Sequence, residues 1–213
     1  VTSILHKSQE ELEMLARKKV KHLYLGIESG LDDVLKFMKK DHDLAQAYQA
    51  IDRLHEAGLI YDAHIMTGVA GKGRGMENAE ALAQFLNRTN PAHVVNFSMF
   101  LHKEVPLYQD IRQATFVPAD ELETIREEYH LIERIAPEKA GANILYDGFH
   151  DFIHVRVRGH LPGDKEKMLA KLNGIIQEYE GKEPVYSFVQ GECPDLEYCD
   201  DGKAVWDMDR KTS

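Results

Sequence analysis

Along the chain, short apolar runs alternate with longer stretches in which apolar residues recur every three or four positions. From Ser8 to Lys19 the residues Leu12, Leu15 and Ala16 share one face of a predicted helix. His22-Leu23-Tyr24-Leu25-Gly26-Ile27-Glu28 is short and nearly continuous in apolar character, the pattern of a strand buried on both faces. Two helices are predicted next. Leu31 to Lys39 starts acidic and ends basic, which complements the helix dipole. Asp43 to Ala57 carries Leu44, Ala47, Tyr48, Ile51 and Leu54 at helical spacing, with Asp43 and Gln46 as a capping box and Gly58 as the stop. The rhythm repeats in a strand at Ile60 to Thr67, a Gly-rich turn, a helix at Asn78 to Arg88 and a strand at His93 to Phe100. A long loop leads to a helix at Asp120 to Ile135, opened by an Asp120–Glu123 capping box.

After Ala136 the rhythm changes. Phe152 to Arg158 alternates as a strand, with Ile153, Val155 and Val157 on one face. Pro162-Gly163-Asp164 opens a last helix with Met168, Leu172, Ile175 and Tyr179 inward. Pro184 to Val189 reads as one more strand, and the tail from Cys193 is polar and irregular. Strands alternating with helices imply an α/β fold with a parallel sheet and right-handed crossovers, open or part of a barrel. Residues 1–136 carry this repeat, and residues 137–213 read as a C-terminal extension of strand, helix and irregular tail.

Composition narrows the function classes. A formal charge of −10 repels nucleic-acid phosphates over the surface as a whole, so a nucleic-acid partner is not favoured. Arg156, Arg158, Lys165 and Lys167 form the candidate basic patch, with a solvated face as the plainer reading. No apolar run reaches membrane-spanning length, and the start lacks a signal peptide's apolar stretch. Two cysteines make no disulfide framework, so a cytoplasmic location and no membrane partner are expected. Cys193 and Cys199 supply two ligands at most, too few for a zinc site or a cluster. His150 and His154 are read as hydrogen-bonded or surface histidines rather than a metal pair, and no metal-ligating residue is assigned.

In parallel α/β folds ligands bind beyond the carboxyl ends of the strands. The first strand ends Gly26-Ile27-Glu28-Ser29-Gly30, the second runs through His64-Ile65-Met66-Thr67-Gly68, and the third contains Asn96-Phe97-Ser98. Alternation groups Tyr24, Gly26 and Glu28, then His64 and Met66, then Asn96, Ser98 and Phe100, into one polar face. A carboxylate buried there needs a cation or donors. Either Glu28 helps line a site for an amino- or hydroxyl-bearing ligand, or it pairs with a neighbouring Lys or Arg and closes the sheet. Gly68 to Gly75 matches neither a Walker loop nor a dinucleotide fingerprint, but its glycines allow close backbone approach to a ligand.

These residues resemble a known family. Leu25-Gly26-Ile27-Glu28-Ser29-Gly30-Leu31-Asp32-Asp33-Val34-Leu35-Lys36-Phe37-Met38-Lys39-Lys40 is similar to the GIESGSDEVLKxMxK segment of radical S-adenosylmethionine (radical SAM) enzymes. Ala50 to Gly58 resembles the family's AIxxLxxAG helix, Met66 to Gly71 its MxGLPG strand end, Pro106-Leu107-Tyr108 its TPLY loop, and Gly159 to Lys165 a GxLPxDK segment. Ala70 stands where the family has proline, and Lys72-Gly73-Arg74 where it has Glu-Thr. The Cys-x3-Cys-x2-Cys motif that holds the family's [4Fe–4S] cluster is absent.

The resemblance implies the later half of a partial (β/α)6 TIM-like barrel, from an Fe–S oxidoreductase acting by radical chemistry on an unknown substrate. Its cofactors would be S-adenosylmethionine (SAM) and a [4Fe–4S] cluster whose ligands this chain lacks, leaving the chain alone inactive. In that picture Glu28 and Ser29 contact SAM's polar groups, and Thr67, Gly68 and Gly71 pack their backbone near the adenine. His64, Asn96 and Ser98 line the lumen, and His102 with the Lys103–Tyr108 loop faces the substrate. A cluster-free relative is the alternative source of the same motifs. The competing functions are a phosphate-binding barrel lyase or isomerase using Gly71 to Gly75 as a phosphate cup, and a non-catalytic interaction module. A dimer paired through an exposed sheet edge is a further expectation.

Overall fold

The computed structural model describes residues 1–188 and the backbone of residues 199–200 and 203–204. The chain opens with α1 (Thr2–Leu5) and α2 (Gln9–Arg17). Ser8 caps α2 reciprocally, its hydroxyl accepting the Glu11 N–H at 3.1 Å while Glu11 accepts the Ser8 N–H at 2.6 Å. Then come β1 (His22–Glu28), α3 (Asp32–Phe37), α4 (Leu44–Glu56), β2 (Ile60–Thr67), α5 (Gly75–Thr89) and β3 (His93–Ser98). The capping box expected at Asp43 and Gln46 is formed at the start of α4. Next are α6 (Leu107–Arg112), α7 (Glu121–Arg134), β4 (Ile144–His150), β5 (Val155–Leu161) and α8 (Lys165–Tyr179). A two-residue ladder, β6 (Cys199–Asp200) with β7 (Lys203–Ala204), follows.

The main sheet runs β1-β2-β3-β4-β5. Its first four strands are parallel and in sequence order, and β5 folds back antiparallel on β4. Helical crossovers of one hand between successive neighbours deliver α4, α5 and α7 to the same side, where α8 also packs. That side is closed by Leu25, Ile27, Ile65, Val94, Tyr146 and Val157, packed on Ile51 and Leu54 of α4, Phe85 and Leu86 of α5, Ile125 and Ile132 of α7, and Leu172 of α8. The other side carries none of these helices, and Tyr24 and Phe97 stand exposed on it at 52% and 36%. Helices on one face only are the arrangement of a barrel wall, not of a doubly wound sheet. No helix among the described residues is long and apolar enough to cross a membrane.

Several elements depart from the sequence reading. Ile144–His150 is a full strand, hidden from a pattern search by Asp147 and Gly148 at its centre. Gly148 is required there because an added Cβ would collide with the Glu128 carboxylate. The strand expected at Phe152 to Arg158 begins at Val155 and runs to Leu161, because residues 151–153 form a turn of 3-10 helix that reverses the chain. β3 stops at Ser98, short of Phe100, and α5 starts at Gly75, ahead of Asn78. Of the strand expected at Pro184 to Val189, the described part makes a single parallel bridge, Phe188 to Leu101. Val189 and Cys193 lie outside the described residues.

Candidate functional site

Register decides which residues share the open face. Gly26 lies beside His64, His64 beside Val95, Val95 beside Asp147, and Asp147 beside Arg158. Tyr24, His64, Phe97, Phe149 and Arg156 therefore project to the same side. Their rings meet in turn: Tyr24 to His64 at 5.0 Å between centroids, His64 to Phe97 at 6.1 Å, and Phe97 stacked on Phe149 at 5.5 Å. The Arg156 guanidinium covers Phe149 at 4.8 Å.

At the carboxyl end of β1 the ladder slips a register between Gly26 and Glu28. Glu28 takes φ +64°, and the Ser29 N–H closes the turn on the Ile27 carbonyl at 2.8 Å. A non-glycine residue there is strained, and such strain clusters at functional sites. The turn swings the Glu28 carboxylate over Gly26, where a Cβ would lie 2.6 Å from Oε1. The carboxylate accepts from Lys40 Nζ at 3.1 Å and remains partly exposed at the rim of the open face. The ion pair weighed for Glu28 from its position thus forms.

On the covered face, α7 sets carboxylates among its apolar residues. Glu127 accepts Asn78 Nδ2 at 2.7 Å and the Gly68 N–H at 2.8 Å. Asn78 Oδ1 in turn accepts Ser29 Oγ at 2.6 Å and the Gly30 N–H at 3.1 Å. Burial pushes the Glu127 carboxyl up to about 7 despite those hydrogen bonds, which lower it. Glu128 accepts Asn96 Nδ2 at 3.1 Å and the Tyr146 hydroxyl at 2.9 Å, and Asn96 Oδ1 accepts the Thr67 N–H at 3.1 Å. Ser98 Oγ donates to Glu121 at 3.1 Å. His150 Nδ1 meets Glu121 and Nε2 meets Glu128, each at 3.0 Å. Burial alone would lower the His150 pKa, but the Glu128 charge and the hydrogen bonds to both glutamates raise it to about 10. His150 is therefore an imidazolium donating from both nitrogens. This network ties the ends of β1, β2, β3 and β4 to one helix.

In the Gly-rich loop the amides of Gly68 and of Gly71 to Arg74 are engaged. The Gly71 N–H goes to the Gly68 carbonyl, Lys72 to Val117, and Arg74 to Gly71. The Gly73 N–H donates to Glu123 Oε1 at 2.5 Å, and Gly68 is held by Glu127. Two of these partners are carboxylates, occupying the places a phosphate cup would offer to an anion.

Of the residues singled out by sequence, Glu28 and His64 lie on the open face. Ser29, Thr67, Gly68, Asn96 and Ser98 join the buried network, and Gly71 sits at φ +81° with the Val117 carbonyl 3.0 Å from where a Cβ would be. Asn96 and Ser98 thus turn away from the lumen side assigned by alternation, and Phe97 faces it instead. Polar character misled the parity argument: these two side chains are buried because α7 supplies carboxylate partners. Sequence reasoning missed Phe97, Phe149 and Arg156 on the open face and Glu121 and Glu128 beneath it, while His150, read as a hydrogen-bonded or surface histidine, is hydrogen-bonded to both glutamates. The glutamates carried a signal, since Glu121 and Glu128 lie one heptad apart on the stripe that holds Ile125 and Ile132.

A one-sided α/β wall with rings along its open face, and polar groups at the strand ends, has the architecture of part of a barrel. Residues 1–86 match the model of the Radical SAM superfamily. Among solved structures, the archaeal Methanocaldococcus infernus Elp3 with an N-terminal deletion (1-46) is similar at a TM-score of 0.58 and 18% identity. The likeness covers 80% of this chain and 39% of that one, so this chain spans well under half of the Elp3 protein. No curated protein matches. The family generally binds SAM and a [4Fe–4S] cluster. The cluster does not fit the described residues, in which no group of three His, Cys, Asp or Glu side chains could hold a metal ion. The residues do suit SAM's polar groups: the Glu28 carboxylate, carried over the side-chain-free Gly26, is a partly exposed acceptor at the strand end.

Proposed function

We propose that this chain forms a SAM-holding wall of a radical SAM oxidoreductase barrel, with SAM against the carboxyl ends of the strands and the substrate over the open face. The observation that supports this reading most directly is Glu28, held at positive φ at a register slip with its carboxylate aimed across Gly26. SAM, cleaved reductively, supplies hydrogen-abstraction chemistry. The chain's own part is to accept hydrogen bonds from SAM's hydroxyl or amino groups at Glu28, to hold that carboxylate through Lys40, and to keep the strand ends rigid through α7. The chain alone holds no cluster in this reading and is inactive in SAM cleavage.

The test is titration calorimetry of SAM into the chain and into Glu28→Gly. Glycine suits the turn at φ +64°, so the variant keeps the fold while losing the carboxylate. Loss of one charge-assisted hydrogen bond, about 1.5–3 kcal/mol, weakens SAM roughly ten- to a hundredfold. Equal affinity in the variant, no SAM binding by the parent chain, or SAM cleavage by the chain alone would each overturn the reading.

A further inference from the structure

The open face carries more than SAM contacts need. Tyr24, His64, Phe97 and Phe149 form a row of rings across β1 to β4, each in contact with the next. At its end Arg156 grips Asp147 through Nε at 2.8 Å and Nη2 at 2.6 Å, lies over Phe149 at 4.8 Å, and has a side chain 51% exposed. That clamp leaves Nη1 without a partner among the described residues. Each carboxylate on this side has a basic partner. Asp62 is fully buried and takes His22 Nδ1 at 2.8 Å, Glu28 takes Lys40, and Asp147 is shared between Arg156 and Arg158. Two guanidiniums on one carboxylate leave a positive edge beside the rings, on a chain whose net charge is −10.

We propose that this row binds a mononucleotide, its base on the exposed Phe97 ring and its phosphate on Arg156. Aromatic faces beside a fixed guanidinium suit a planar ring joined to an anion. The overall negative charge selects against a polymer, which brings a charge with every phosphate, and bears little on a small anion at a local positive edge. The proposal rests on the SAM reading for the site's location and names its substrate class.

The probe is GMP, titrated by calorimetry into the full chain with saturating S-adenosylhomocysteine present, so that the SAM position is filled. Binding is expected under that condition. Phe97→Ala weakens GMP about tenfold or more. Arg156→Gln weakens GMP and leaves guanosine unchanged, and because Arg156 is exposed this variant also covers the case in which Phe97→Ala fails to fold. Four results overturn the proposal: no GMP binding, displacement of GMP by S-adenosylhomocysteine, unchanged affinity in Arg156→Gln, or tighter binding of a short poly-uridine RNA than of GMP. Loss of SAM binding with GMP binding intact would sink the SAM reading alone.

Discussion

His150 is the residue on which the buried charge balance turns. It is fully buried between Glu121 and Glu128, and removing it leaves two carboxylates without their cation. His150→Gln should cost roughly 3–5 kcal/mol in urea unfolding. The pH dependence has a definite sign. His150 is raised to about 10, so its contribution is whole below the ordinary histidine value of 6.5 and is lost as pH climbs towards 10. Glu127 is raised to about 7 from 4.5, so the folded state holds its proton longer and stability falls as pH rises across that interval. Both groups make the chain more stable near pH 5 than near pH 9. Unfolding midpoints measured at several pH values should flatten above neutrality in His150→Gln and between pH 4.5 and 7 in Glu127→Gln. A wild-type stability that rises from pH 7 to 9 would contradict the assignment.

Helix starts were the most legible elements because a cap is a local affair of three or four residues. Asp43 accepts the Gln46 N–H at 2.8 Å and Gln46 returns the bond to Asp43 at 3.0 Å. Asp43→Ala should lower stability by about 1 kcal/mol, seen as a shift in the urea midpoint with an unchanged slope. The box expected at Asp120 and Glu123 is half made: Asp120 accepts the Glu123 N–H at 2.8 Å, while Glu123 bonds the Gly73 amide instead. A cap can be read from spacing, but a competing partner fifty residues away cannot. β4 escaped notice for the same reason. Asp147 and Gly148 suit a strand only because Arg156 neutralises the first and Glu128 fills the space beside the second.

At the scale of the whole molecule, α7 is the hub. It packs on α5 and α8, and its carboxylates reach the ends of four strands through Gly68, Asn96, Ser98, His150 and the Asn78–Ser29 relay. Amides of β2, β3, β4 and α7 should exchange with solvent only through global unfolding, and those of α1 and α6 much earlier. Hydrogen exchange read by mass spectrometry checks this, and early exchange in α7 would remove it from that role.

The order and type of the first strand–helix units and most of their caps followed from the sequence alone. Periodicity and capping are set by neighbours along the chain. The faces of the strands did not follow. Alternation divides each strand into two sides without saying which side meets the helices. The match between strands depends on pairing register, which long-range contacts set. Tertiary structure alone therefore turned Asn96 and Ser98 beneath α7, brought Phe97, Phe149 and Arg156 to the open face, and placed His150 between two glutamates distant in sequence.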